Sequence, residues 1–283
     1  MKVLVTGGTG RVGTAVVQDL LTHGYEVVSA DQKRGSAPLP EGSRFVEIDL
    51  SDVGQVVGAM TGCEAVIHLG AIPSPYSHAD EVVFNNNVSG TFAVLQAASL
   101  LGIKKAAIAS SLSALGTAWA PDPFPPVYAP VDEAHPLLNH DCYGLSKEVD
   151  ERTAEMFHRR TGMRIAAFRF CWVSHMHEAK AAVQRVRANP GHPSEWRVLW
   201  AYVDVRDAAS ACRLGIEADG FGFAPFNITA DDTLSQTPTE ELIRTHVPSV
   251  EIRLPIPGVA SAFSCDRAKS VLGWTPKHSW RTE

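Results

Sequence analysis

Tyr143 and Lys147 stand four positions apart in the run Tyr143-Gly144-Leu145-Ser146-Lys147. On a helix that spacing puts both side chains on one face. An ammonium beside a phenol favours the phenolate, and a phenolate can exchange a proton with a substrate hydroxyl near neutral pH. Lys147 can also hold a ribose hydroxyl of a bound cofactor. Ser111 ends the apolar run that starts at Lys105, where its hydroxyl can reach both the phenol and a substrate oxygen. Its neighbour Ser110 is the rival for that task. A Tyr-x-x-x-Lys pair on its own is common on protein surfaces, so the rest of the chain must give it meaning.

The first thirteen residues do so. Val3-Leu4-Val5 suits a buried parallel strand, and it stops at Thr6-Gly7-Gly8-Thr9-Gly10-Arg11-Val12-Gly13. Val12, Val16, Val17, Leu20 and Leu21 then follow at helical spacing, closed by His23-Gly24. A strand, a glycine turn and a helix N-terminus form a site for the diphosphate of a dinucleotide. The next strand ends in Asp31, about 20 residues on, where a carboxylate can accept hydrogen bonds from a ribose diol. It would repel the extra phosphate of NADP, so NAD is preferred, although Lys33 and Arg34 follow closely.

Composition narrows the class. The 283 residues carry a formal charge of −6 and are 45% hydrophobic, ordinary for a soluble globular protein. There is no long basic run, so nucleic acid is not an expected partner. No apolar stretch approaches a membrane span, and the first strand begins too early for a signal peptide. Cys63, Cys142, Cys171, Cys212 and Cys265 form no CxxC pair, which fits reduced thiols and a cytoplasmic location. His175 and His177 lie close together but lack a companion carboxylate–histidine motif, and no metal site is expected.

Strand and helix patterns alternate from end to end of the first part. Predicted strands cover Arg44–Ile48, Ala65–Leu69, Lys105–Ala109 and Arg164–Phe170. Predicted helices cover Val53–Met60, Glu81–Leu101 and Cys142–Thr161. That alternation predicts an α/β fold, a Rossmann-type doubly wound parallel sheet with a smaller C-terminal substrate lobe. Residues 1–170 are read as the NAD-binding domain carrying the catalytic residues. Residues 171–283 are read as a mixed α/β lobe, with 200–230 returning to the first domain. In the lobe, Val198–Val203, Pro225–Ile228 and Val250–Leu254 read as strands. Asp207–Glu217, Thr239–His246 and Asp266–Leu272 read as helices. The proline-rich stretch Pro121–Pro136 reads as a candidate rim of the site.

These motifs resemble the extended short-chain dehydrogenase/reductase family, the group of NAD-dependent sugar epimerases and dehydratases, over nearly the whole chain. Thr6 to Gly13 matches the family's TGxxGxxG, and Tyr143 to Lys147 matches its YxxxK. Ala109-Ser110-Ser111 resembles its serine motif. Asn87-Val88-Ser89-Gly90-Thr91 resembles its N-x-x-G-T helix, and His68-Leu69-Gly70-Ala71 its strand-four motif. Tyr202 to Asp207 and Leu272 to Pro276 resemble two further landmarks. The resemblance implies Ser111, Tyr143 and Lys147 as catalytic residues. It implies a cofactor site of Gly7, Gly10, Arg11, Val12, Gly13, Asp31, Asp49, Leu50, Leu69, Gly70 and Ala71, with Asn87 bracing the strands and Ser110, Tyr143 and Lys147 beside the nicotinamide. Pro73, Ser111, Leu112, Trp172 and Arg185 are the expected substrate contacts; Arg185 and Arg187, on a predicted helix of the lobe, either bind a carboxylate or face solvent.

Departures from the family refine the expectation. Leu112 and Ser113 stand where similar dehydratases place carboxylates, so dehydration is set aside. Cys171-Trp172-Val173-Ser174 replaces the usual asparagine and glycine–proline step. Roughly thirty residues separate Arg169 from Tyr202, fewer than nucleotide-sugar enzymes use there. A small sugar or sugar acid is the expected substrate, as in the uronate dehydrogenases, although Leu112 and Trp172 differ from their polar residues. An NAD-retaining sugar epimerase is the alternative, and a non-catalytic NAD(P)-sensing regulator a third reading. A homodimer through the two long helices is one arrangement the resemblance implies. Val94, Leu95, Met156 and Phe157 would serve either that contact or the monomer core.

Overall fold

The computed structural model describes residues 1–35 and 40–283. The first half runs β1 (Lys2–Thr6), α1 (Arg11–Thr22), β2 (Glu26–Asp31), β3 (Arg44–Glu47), α2 (Val53–Met60), β4 (Ala65–His68), α3 (Asp80–Leu100) and β5 (Lys105–Ser111). It continues β6 (Tyr128–Ala129), α4 (Cys142–Thr161), β7 (Arg164–Phe170), β8 (Val173–Ser174), α5 (Met176–Ala188) and α6 (Pro193–Trp196). It ends β9 (Val203–Asp204), α7 (Val205–Glu217), β10 (Phe223–Ile228), α8 (Thr239–His246) and β11 (Glu251–Ile252).

Seven strands form one parallel sheet in the order β10-β7-β5-β4-β1-β2-β3. Val3, Leu4, Val5, Val66 and Ile67 are wholly buried, as continuous apolar runs must be when helices cover both faces. Val16, Val17 and Leu20 of α1 pack on one face with Ala208, Cys212 and Ile216 of α7. Val56 and Met60 of α2, Val94 and Leu95 of α3 and Phe157 of α4 cover the other. Val94, Leu95 and Phe157 therefore serve the monomer core, with Met156 packed against them, and are not an open dimer face. The strand order reverses between β1 and β4, the place where such sheets open a crevice at their carboxyl ends.

A separate core lies beyond the sheet. Ala182, Val183 and Val186 of α5 pack with Trp200, Tyr202, Leu242, Ile243 and Phe263. β10 returns from this region to the edge of the main sheet beside β7.

Three expected features differ. Val198–Val203 is not a strand: Leu199 and Trp200 have φ of 48° and 56°, a left-handed bend that ends any extended pairing before Val203. Trp200 is held in that bend by burial and by its indole N–H, which donates to the Pro190 carbonyl at 3.0 Å. Asp266–Leu272 is helical over its expected bounds, but from Ala268 to Leu272 it widens into a π turn, closed by Gly273. The Pro121–Pro136 stretch is no rim; its Tyr128–Ala129 pairs in parallel with β11, on the core of the lobe. No helix among the described residues is long and apolar enough to cross a membrane.

Candidate active site

The glycine turn is shaped by contact as well as by conformation. Gly7 sits at φ 66°, and a Cβ there would lie 2.6 Å from the Gly70 nitrogen. A Cβ on Gly13 would lie 2.0 Å from the Gly7 carbonyl oxygen, so only glycine lets α1 start this close to β1. Gly10 caps α1 without a side-chain bond, and the first turn carries no acidic residue. The N–H groups of Arg11, Val12 and Gly13 therefore lack both intrahelical acceptors and a capping side chain, which fits an anionic diphosphate. Asp31 stands beside this turn and accepts from the Thr9 hydroxyl at 2.6 Å. Glycine turn, open helix N-terminus and acidic strand end together fit a dinucleotide with an unphosphorylated ribose.

One cavity of about 860 Å³ runs from the glycine turn into the lobe. Gly7, Gly10, Arg11, Val12, Gly13, Leu69 and Ala71 line one end. Ser110, Ser111, Tyr143 and Lys147 line its middle, and Pro73, Leu112, Trp172 and Arg185 lie further out. Asp31, Asp49, Leu50, Gly70 and Asn87 are outside it. Asp49 is exposed and bonds the Ser51 nitrogen and hydroxyl, while Leu50 packs against Gly70. Asn87 takes the bracing role expected of it. It is fully buried, accepts from the Ile72 nitrogen at 2.8 Å, and donates to the Ile72 carbonyl and the Ser146 hydroxyl. Its amide fastens the loop after β4 to α4 and has nothing left for a cofactor.

The two serines separate cleanly. Ser110 donates to Glu151 at 2.6 Å, and Glu151 is itself held by Arg169 through two bonds of 2.8 Å. Ser111 accepts from the Ser113 nitrogen at 3.0 Å and keeps its own O–H proton for the cavity. Tyr143 reaches the same wall because Asp141 caps α4, accepting from the Gly144 nitrogen at 2.8 Å. Gly144 then lets that turn press on the Ser113 carbonyl, 2.6 Å from where a Cβ would be. One turn on, Lys147 lies 5.9 Å from the Tyr143 ring centre. Burial, with the Lys147 charge acting in the same direction, holds His68 down at about 3, so the imidazole behind this wall is neutral.

Arg11 lines the cavity, but its guanidinium is occupied by Glu178 and the Val173 carbonyl. Arg185 sits 5.9 Å over the Trp172 ring and 3.7 Å from Glu195, while Arg187 is exposed and off the cavity. The cation that sequence reading misses is Arg197. It lines the cavity and donates to the Ala118 carbonyl at 3.2 Å; its Nε is buried without a partner, and it has no carboxylate among the described residues. Tyr76, Trp119, His192 and Leu234 also line the cavity unforeseen. Trp119 alone had a signal, its place just ahead of the proline-rich stretch.

Fold and cleft define a dinucleotide-dependent enzyme of the extended short-chain dehydrogenase/reductase type. The chain belongs to the NAD dependent epimerase/dehydratase family, whose sequence model matches residues 3–228. Its cofactor is NAD. A UDP-glucose 4-epimerase of Corynebacterium glutamicum is 25% identical over 318 aligned residues, covering 99% of this chain and 92% of that protein. An NAD-dependent glucose-6-phosphate dehydrogenase of Haloferax volcanii is 26% identical over 284, covering 97% and 92%. Two solved structures share the fold. A short-chain dehydrogenase/reductase superfamily protein of Agrobacterium tumefaciens with bound NAD has a TM-score of 0.74 at 24% identity, covering 99% and 94%. A mutated uronate dehydrogenase has 0.71 at 22%, covering 99% and 83%.

Proposed function

We propose that the chain is an NAD-dependent dehydrogenase of a small sugar acid. The observation that carries this reading is one cavity with Ser111, Tyr143 and Lys147 on its wall and a guanidinium without a carboxylate, Arg197, further in. Tyr143 accepts the proton of a substrate hydroxyl. Ser111 donates a hydrogen bond to the same oxygen and holds it against the phenol. Lys147 keeps a positive charge beside the phenolate and offers an N–H to the cofactor ribose. Bound NAD supplies the hydride acceptor. Arg197 takes the substrate carboxylate, which fixes the carbinol carbon at the other end. Trp119 and Trp172 offer flat apolar faces to the C–H side of a sugar ring.

A sugar epimerase with retained cofactor is the second reading. The Arg11–Glu178 bridge beside the glycine turn favours it, because it restrains that end of the cleft. The relatives include several UDP-glucose 4-epimerases beside the NAD-dependent glucose-6-phosphate dehydrogenase.

The test is NADH formation by the purified protein with added NAD and a panel of free sugars, uronic acids and nucleotide sugars. NADH with an acid is expected, lowered at least about 100-fold in Tyr143→Phe. Arg197→Met should raise KM for the acid and leave a neutral sugar unaffected. No NADH, with NAD retained through purification, would replace the dehydrogenase by the epimerase.

A further inference from the structure

Lys147 and Asp150 are both buried within α4, at 2% and 0% exposure. They form an ion pair of 3.1 Å. A second Lys147 N–H goes to the Ala109 carbonyl at 3.0 Å. An ammonium has three N–H donors, so one remains for the cavity that Lys147 lines. The proposed chemistry has no task for Asp150. Yet a carboxylate sealed from water is costly to bury, and its Oδ1 has no well-aligned hydrogen-bond partner.

The surroundings leave Asp150 as the counter-charge. On α4, Lys147 is faced by Asp150, Glu151 and Tyr143. Glu151 is already taken by Arg169 of β7 and by Ser110 of β5. From β4 comes His68, bonded to the Thr6 hydroxyl at 2.7 Å and to the Thr91 hydroxyl of α3 at 3.2 Å, and neutral. Thr91 lies against Asp150 from the other side. Burial pushes Lys147 toward losing its proton, and the Asp150 carboxylate, with Tyr143, outweighs it, so the ammonium is held above its ordinary value.

We propose that Asp150 is a positioning residue, whose carboxylate keeps the Lys147 ammonium charged and turned so that its third N–H faces the cofactor. The proposal rests on the role given to Lys147 above. Without the carboxylate, Lys147 becomes a buried amine and titrates within the working range.

The test measures NADH affinity of the full chain by NADH fluorescence, from about pH 6.5 to about pH 9.5. Wild type, Asp150→Asn and the double variant Asp150→Asn/Lys147→Arg are compared. Wild type should stay flat. Asp150→Asn should lose about tenfold in affinity across the upper half of that range, as a charged hydrogen bond disappears. Adding Lys147→Arg should abolish the slope, because a guanidinium keeps its proton throughout. An Asp150→Asn affinity lowered by one constant factor at every pH, or not lowered at all, overturns the proposal, since a purely structural role has no pH dependence. Should Asp150→Asn not fold, Asp150→Glu keeps the charge, and a slope in that variant overturns the proposal equally. Failure of the dehydrogenase reading is seen elsewhere, as turnover that survives Tyr143→Phe.

Discussion

The Arg11 guanidinium grips the Glu178 carboxylate through two hydrogen bonds, at 2.5 and 3.0 Å, tying the start of α1 to the first turn of α5. Arg11 also donates to the Val173 carbonyl at 3.1 Å, and Glu178 accepts from the His175 nitrogen at 2.8 Å. The backbone bond from His175, with the nearby Arg11, holds the Glu178 carboxyl below its usual range against the opposing effect of burial. This strap stands beside the N–H groups offered to the diphosphate. Glu178→Ala should speed NADH release several-fold in a stopped-flow chase. Because both side chains are partly exposed, it should cost less than about 1 kcal/mol of stability. Release at the wild-type rate would mean that the strap does not restrain the cofactor.

Gly144 should not accept a methyl group. In Gly144→Ala the new carbon would lie 2.5 Å from Asn139 Oδ1 and 2.6 Å from the Ser113 carbonyl oxygen. Overpacking of this kind costs about 1–3 kcal/mol. The relief has to come from moving the first turn of α4, and Tyr143 with it. Turnover should fall by about 100-fold, as misplacement of a reacting group does. NAD affinity should change little, because the glycine turn is not involved.

His68 makes stability depend on pH. The folded chain keeps this imidazole neutral down to about pH 3 through burial and the Lys147 charge. The unfolded chain protonates it near pH 6.5. Between those values the unfolded state binds one more proton, so stability falls as pH falls from about 6.5, by about 1 kcal/mol per pH unit. His135 is pushed the same way by burial and adds to the slope. Urea midpoints measured from about pH 7 to about pH 5 should show the loss, and His68→Gln should reduce it, leaving the His135 part.

Asp31 should govern the choice between NAD and NADP. Its carboxylate already accepts from the Thr9 hydroxyl and nitrogen and from the Gln32 nitrogen. Those bonds fix the side chain at the strand end. Asp31→Ser should raise KM for NAD about tenfold and bring NADP into use, since the repulsion disappears while Lys33 remains nearby. Unchanged discrimination would place the choice elsewhere.

The sheet and the cofactor end are legible in the sequence for a physical reason. Buried parallel strands show as apolar runs, and a diphosphate site demands glycine at Gly7 and Gly13, where any side chain would collide with backbone. Tyr143 and Lys147 are legible because helical spacing makes them neighbours. The substrate end is hidden. Arg197 lines the cavity from the end of the four-residue α6, just ahead of a left-handed bend at Leu199 and Trp200, and neither residue type announces such a backbone. Asn87 is legible in part: its motif implies a bracing role, but only the coordinates reveal that Ile72 and Ser146 are what its amide joins.

That bend also bears on how this enzyme could change over generations. Two bulky residues in the left-handed region each cost about 1–3 kcal/mol. They persist because the Trp200 indole is bonded to Pro190 and its backbone to Glu195 and Leu234, with bonds of 2.9 to 3.0 Å. The wall carrying Arg197 is therefore kept in shape by neighbours, of which Pro190, like Trp200 itself, lies off the cavity. Substitutions at Trp200 or Pro190 would recast which molecules are accepted and leave the glycine turn, Tyr143 and Lys147 intact. Selection can thus rework the selective end of the cleft by drift in its supports, while the redox end is inherited unchanged.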